Sequence, residues 1–513
     1  MNLGEHLIAV AERRPEAEAM IEDERRWSYG ELFDQSKRVA GGLSELGLGS
    51  GERLAVALAN RSETVLLYWA AQWLGASFVP LNWRLSPADL QYCVNDSRAK
   101  VIALEERSAY LSEGLKGATQ VIGVGQAPGV SMEQLFAATP APIPSSVDER
   151  ETCLILYTSG TTGRPKGVPR SHRAEQASAE AHVIQCRYEP GERTLGVMPI
   201  YHTMGMRSLL AMSMVSGCLI VQPQFRAGPA LKAVHDEKVS ALYLAPTLFH
   251  DLIEEANRQG GAPQVQKLAY AGAPMTATLA QACTSVFKPS VFVNHYGSTE
   301  IYTFAVSADQ LAKPGCAGRA GLHERIRLVR PQEDAGPNDL IGGEEIGQVI
   351  CHLSSDEAFR SYLNRPDADA KAIRKGWYFT GDLGRLDGDG DLWIVGRMDD
   401  MIISGGENVH PFEIEDVLSR HSAVKEVAVV GLPDDRLGQR VVAAVVGDGV
   451  TAEELDAHCL AAGDLASFKR PREYVFVNDL AKSSSGKLLR RAVQEQLLAA
   501  REGAAKDSRE DKQ

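Results

Sequence analysis

Residues 157–168 read Tyr157-Thr158-Ser159-Gly160-Thr161-Thr162-Gly163-Arg164-Pro165-Lys166-Gly167-Val168, directly after the apolar run Cys153-Leu154-Ile155-Leu156. The run predicts a buried strand that delivers a hydroxyl-rich loop. Glycines let such a backbone turn and come close to a ligand; serine and threonine hydroxyls join the backbone N–H groups, and Lys166 adds a charge, so the stretch is built to cradle a polyphosphate. It is not a Walker A loop. That pattern needs Gly before the Lys and Ser or Thr after it, whereas Pro165 precedes Lys166 and Gly167 follows.

Working outward, strands and helices alternate toward the N-terminus. Tyr29 to Leu46 has helical periodicity, Arg53 to Ala59 is a strand candidate, Ser62 to Leu74 a second helix, and Lys100 to Leu104 another strand. This alternation predicts a largely parallel, doubly wound α/β sheet. At 513 residues, at least two domains are expected. The 54 basic and 67 acidic residues leave a net charge of −13, which argues against a nucleic-acid or membrane-surface role. Eight scattered cysteines without a C-x-x-C suit a reducing cytoplasm and offer no zinc site. No basic region precedes a long apolar core near Met1, so no signal peptide is expected. No run is long enough to span a bilayer. The mixed-charge end, from 501 onward, is expected to be a disordered tail.

Further motifs follow in order. Leu195 to Gly205 contains Tyr201-His202-Thr203-Met204, and Tyr270-Ala271-Gly272-Ala273-Pro274-Met275 forms a small-residue turn. Next come Asn294-His295-Tyr296-Gly297-Ser298-Thr299-Glu300 and Gly376-Trp377-Tyr378-Phe379-Thr380-Gly381-Asp382. The aspartates 387, 389 and 391 fail as an EF-hand, because Leu392 stands where that loop needs Gly, and read as a hairpin turn. Gly396 to Val409 includes Arg397, Asp399, Gly405 and Gly406; Lys482-Ser483-Ser484-Ser485-Gly486-Lys487 lies near the end.

This set, spanning residues 25 to 491, resembles the adenylate-forming superfamily of acyl-CoA and aryl-CoA synthetases, peptide-synthetase adenylation domains and luciferases. It is most similar to aryl- or acyl-CoA ligases of the chlorobenzoate-CoA ligase type. The resemblance implies a large N-terminal domain of doubly wound sheets with a β subdomain (1–398), then a small mobile α+β lid (399–500) swinging about Asp399. It implies ATP, Mg2+ and coenzyme A. Thr158, Ser159, Gly160, Thr161, Thr162 and Lys166 would hold the phosphates, Gly272, Ala273, Pro274 and Tyr296 the adenine, and Asp382 and Arg397 the ribose. Glu300, with Thr158, would hold the metal, Thr299 the α-phosphate, and His202 the substrate carboxylate; Lys487 would be the catalytic lysine. The family usually has Pro before the first Lys of that last motif and Thr after it, where this chain has Ala481 and Ser483. Arg84, Gly405, Gly406, Phe468 and Arg470 would meet CoA. Val183, Thr203, Met204, Tyr243, His295, Ile301, Tyr302 and Thr303 would line the acyl pocket, suiting an aromatic or medium-size carboxylic acid. Arg207 would either recognise a second carboxylate, making the chain a dicarboxylate-CoA ligase, or face outward. The alternative acceptor is a carrier protein in trans. A homodimer is compatible with the resemblance.

Overall fold

The computed structural model describes residues 1–115, 119–142, 147–158, 164–463, 465–482 and 488–510. Two large sheets dominate. Seven strands pair in the order 130–131, 120–123, 101–104, 53–57, 77–80, 152–158, 166–171, and nine in the order 319–320, 305–307, 291–296, 267–270, 241–244, 193–196, 218–221, 18–22, 25–28. The internal strands of both are parallel, and antiparallel pairs sit at the edges.

Strand alternation shows how the layers stack. Leu54 and Val56 face the same core as Met20, Leu219 and Val221 of the other sheet, while Ala55 and Ala57 face a second core. The shared core therefore lies between the two sheets. Helix Ser62–Leu74 runs through it, and its sequence explains why: Tyr68, Trp69 and Trp73 are all buried, so the helix is apolar all round and has no face for water. Outer cores cover the far face of each sheet.

A third sheet is antiparallel, built from Ile326–Val329, Gly347–His352, Trp377–Leu386 and Leu392–Arg397 with the short Ile373–Arg374. The aspartate run forms the turn between Trp377–Leu386 and Leu392–Arg397, as a hairpin reading requires. Lys313 Nζ sits among Asp387, Asp389 and Asp391 at 2.6–2.9 Å, so a side-chain cation already occupies that acidic cluster.

After the short turn Met398–Asp400 the chain enters a smaller α+β unit. Val424–Asp434 pairs antiparallel with Gly438–Gly447, helix Pro411–Ser419 packs against them, and Glu473–Phe476 adds a parallel edge. The backbone is helical from Arg490 to Glu510, so the stretch expected as a tail from 501 is helical as far as 510, and only 511–513 lie outside the described residues. Among the described residues, no helix is long and apolar enough to cross a membrane.

Candidate active site

Several of the expected side chains meet where the parallel strands of the nine-stranded sheet end. Tyr296 closes strand Val291–Tyr296, the Gly272 turn follows Lys267–Tyr270, and His202 lies beyond Arg193–Gly196. Open α/β sheets bind ligands at these carboxyl ends, because helix and loop connections leave a crevice there. Gly272 has φ +85°, a conformation that a side chain strains, and a methyl added there would approach Met204 Sδ at 3.8 Å.

Asp382 anchors one side. Its Oδ2 accepts from the Tyr296 hydroxyl at 2.7 Å, Arg397 Nη1 lies 3.0 Å from its Oδ1, and its own N–H donates to Thr380 Oγ1. An ionised carboxylate accepts about four hydrogen bonds, so both oxygens keep capacity for a diol. The neighbouring carboxylate and burial push the Tyr296 phenol far above its ordinary pKa, burial being the larger cause.

Glu300 anchors the other side. It is buried, and its Oε1 accepts from the Tyr362 hydroxyl at 2.6 Å. Lys166 Nζ lies over the same Tyr362 ring, 4.4 Å from its centre. Tyr362 thus gathers the loop lysine and the acidic residue of two motifs far apart in sequence. Burial draws the Lys166 ammonium below the ordinary lysine range, with the Glu300 carboxylate opposing. A lone buried carboxylate oriented through one oxygen fits magnesium, which takes one or two carboxylates beside phosphate oxygens and water.

In the stretch expected to hold phosphate, strand Thr152–Thr158 pairs antiparallel with Lys166–Ser171, Thr158 standing opposite Lys166, and the Thr158 hydroxyl is 3.5 Å from the Lys166 carbonyl. Ser159, Gly160, Thr161 and Thr162 lie outside the described residues, as does Lys487. Thr299 lies in the turn before Glu300. His202 caps helix Thr203–Met214, with its ring 4.8 Å from that of Tyr201. Arg84 is exposed; it packs on Trp83 and donates to the Tyr201 hydroxyl at 3.2 Å. Ala273 and Pro274 belong to the exposed turn after Gly272.

The pocket residues divide. Tyr243 and His295 lie together with His182, at ring separations of 4.6–5.7 Å, and Met204 and Thr203 begin the adjacent helix. Val183 is half-buried against the inter-sheet core. Ile301, however, is sealed among Val168, Phe304 and Phe359, and Tyr302 and Thr303 serve a buried charge network instead. The reading in which Arg207 faces outward does not hold. Arg207 is buried, with Nη2 on Thr303 Oγ1 at 2.7 Å and 3.3 Å from Glu357 Oε2, so it does not face outward and its charge is matched within the protein. Removing one partner of such a pair strands the other charge. Arg207→Met is expected to cost about 3–5 kcal/mol of stability, read from the denaturation midpoint, and Arg207→Met with Glu357→Gln to recover part of it.

Cys186, His182 and His295 lie within ligand distance of one another, but Arg207 Nη1 is 3.5 Å from His295 Nδ1. An arginine can only donate, which leaves the proton on Nε2, facing Cys186 Sγ at 3.4 Å.

In the C-terminal unit, Gly405 and Gly406 form the two-residue turn between Ile402–Ser404 and Glu407–Val409. Their φ values of +62° and +87° are those of a hairpin turn that favours glycine at both places. Phe468 is exposed, and Arg470 donates from Nε to Asp456 Oδ1 at 2.8 Å and from Nη1 to the Ser467 carbonyl at 3.0 Å. Asp399 is exposed in the turn after Arg397.

Sequence reasoning missed Tyr362 and Arg170. The former stands in an irregular segment with no motif around it. The latter was signalled: Val168 and Arg170 share a strand face by two-residue alternation, so a charge stood at an inward position.

A family model described as AMP-binding enzyme matches residues 7–363, and one described as AMP-binding enzyme C-terminal domain matches 413–487. The chain is 33% identical over 507 residues to a 4-chlorobenzoate–CoA ligase of Arthrobacter sp, covering 95% of this chain and 94% of the other. It is 30% identical over 485 residues to a 2-succinylbenzoate–CoA ligase of Bacillus licheniformis, covering 94% and 97%. The solved o-succinylbenzoate CoA synthetase of Bacillus subtilis, in complex with its acyl-adenylate intermediate, matches with TM-score 0.84 at 27% identity over 96% of this chain and 97% of that one. The chain belongs to the AMP-binding enzyme family, within the adenylate-forming superfamily that its motifs resemble.

Proposed function

We propose that this chain is an AMP-forming acid–CoA ligase acting on a compact aromatic or medium-size monocarboxylic acid. The observation that carries the reading is the pairing of Lys166 and Glu300 on Tyr362 beside the Asp382–Arg397–Tyr296 group, at the carboxyl ends of the strands. A carboxylate oxygen leaves badly, so attack of the acid on the α-phosphorus of ATP exchanges it for a good leaving group. Pyrophosphate departs and an acyl-adenylate remains; attack of the CoA thiol on the acyl carbon then releases AMP. Charge developing in the first step is an electrostatic task, met by Lys166 and the phosphate loop and by Lys487. Magnesium, held by Glu300, would neutralise phosphate charge.

Asp382 and Arg397 would orient the ribose, and the Gly272 turn the adenine. Asp399 would be the hinge between units 1–398 and 399–500, and the Gly405–Gly406 turn would line the passage for the pantetheine arm in the second step. The acyl end supports the monocarboxylate: Tyr243 offers an aromatic wall, and burial holds His182 and His295 well below their ordinary pKa, hence uncharged. With Arg207 matched by Glu357, no net positive charge remains there for a second carboxylate. A reducing cytoplasm is the proposed compartment, supported by eight buried, unpaired cysteines.

The test is pyrophosphate release from ATP and magnesium across aromatic, short, medium and dicarboxylic acids, with and without CoA. Sustained turnover that needs both CoA and an aryl or medium-size monocarboxylic acid is expected, with dicarboxylates at least about tenfold poorer in kcat/KM, the effect of roughly 1.4 kcal/mol. Release limited to one enzyme equivalent, with or without CoA, would instead identify a carrier-protein acceptor.

A further inference from the structure

We propose that Arg170 is a positioning residue that fixes the turn carrying Thr299 and Glu300 relative to the strand carrying Lys166; this rests on the ligase reading, with Glu300 as magnesium ligand. Arg170 is fully buried. Its Nη1 donates to the carbonyls of Glu300 at 3.1 Å, Glu357 at 2.7 Å and Thr299 at 3.4 Å. Nη2 donates to Ser178 Oγ at 3.0 Å, and Nε to Glu175 Oε1 at 2.7 Å. The Tyr302 ring packs against the guanidinium at 3.8 Å, and its hydroxyl lies 3.3 Å from the other Glu175 oxygen.

The turn needs this. Residues 297–303 form neither helix nor strand, so their carbonyls have no ladder of their own. The Glu300 carbonyl receives the Arg170 N–H and the Phe359 backbone N–H at 2.8 Å. With that peptide plane held, the direction in which the Glu300 side chain leaves the backbone is set, and the Tyr362 hydroxyl then orients its carboxylate. Arg170 also stands four residues after Lys166 on the same strand face, so one rigid strand relates the phosphate-loop lysine to the metal-binding turn. A planar guanidinium can reach three carbonyls and a carboxylate at once; a lysine ammonium cannot. Glu175 matches the charge, so the group is neutral as a whole.

Partners that orient a metal ligand change metal affinity by about 10–100-fold when removed. Two variants test the proposal: Arg170→Lys, which keeps a cation for Glu175, and Arg170→Met with Glu175→Gln, which strands no charge. Pyrophosphate release is followed against magnesium concentration, and the rise in melting temperature caused by ATP with magnesium is compared with that caused by ATP with EDTA. The expected result is a half-saturating magnesium concentration raised about 10–100-fold, an acid KM within about twofold of wild type, and a magnesium-dependent thermal shift reduced toward the EDTA value. Wild-type magnesium half-saturation and thermal shift in both variants, with only kcat or melting temperature lowered, would overturn it. Failure of the ligase reading is distinct, since the unmodified enzyme would then release no pyrophosphate in response to any acid.

Discussion

Glu300→Gln is expected to slow acid-dependent pyrophosphate release by about 10²–10³-fold at saturating ATP, the range found when one well-placed electrostatic contributor is removed from a transition state. Glutamine keeps the volume of the side chain, and its amide oxygen can still accept from Tyr362, so the change removes charge with little disturbance of packing. What is lost is the hard anionic oxygen that suits magnesium. The substitution also acts on Lys166. Burial lowers that lysine and the Glu300 carboxylate opposes the lowering, so removing the carboxylate drops its pKa further. A lysine needed in its charged form loses activity as pH rises through its pKa, and the basic limb of the pH–rate profile should therefore move to lower pH. Measuring rate against pH and magnesium in both proteins separates the effects. A wild-type rate with an unmoved basic limb would remove Glu300 from the metal site.

Much of this arrangement was legible in the sequence because the informative features were local. The apolar run at 153–156, the all-round apolar helix at 62–74 and the turn at 387–391 each carry their cause within a few residues. The antiparallel return at Lys166–Ser171 was not drawn from the sequence, because Lys166-Gly167-Val168-Pro169-Arg170-Ser171 shows no apolar–polar alternation and its burial follows from its pairing with Thr152–Thr158. Strand Glu18–Glu22 was missed for a different reason: it is short, and its parallel partner is Cys218–Val221, about two hundred residues away, a pairing that no local pattern records.

The site shows the same division. Asp382, within strand Trp377–Leu386, meets Tyr296 at the end of strand Val291–Tyr296, and Glu300 meets Tyr362, whereas Ile301, Tyr302 and Thr303 follow Glu300 in sequence yet turn into the packed interior. Adjacency to a motif does not decide which way a side chain faces in an irregular turn. The buried Arg207 makes the point in reverse. Its position in an apolar helix was visible, but its partner Glu357 lies 150 residues on, so the pair could only be seen in three dimensions.

Lys487→Ala is expected to separate the two half-reactions. In adenylation, negative charge gathers on the α-phosphoryl oxygens and the departing pyrophosphate, and a cation brought over them lowers the barrier; its loss is expected to slow that step by about 10²–10³-fold. In thioester formation the pyrophosphate has already left and the thiol attacks an acyl carbon, so a cation aimed at the departed group has little to stabilise. If the unit after Asp399 rotates between steps, the lysine leaves and the Gly405–Gly406 turn takes its place, a hinge transition confined to a few backbone torsions. Chemically prepared acyl-adenylate should then be converted to the CoA thioester by Lys487→Ala at a rate within about threefold of wild type, less than 1 kcal/mol of barrier. Equal damage to both steps would mean that the lysine serves one fixed arrangement throughout, and the division of labour between the two faces of the small domain would have to be abandoned.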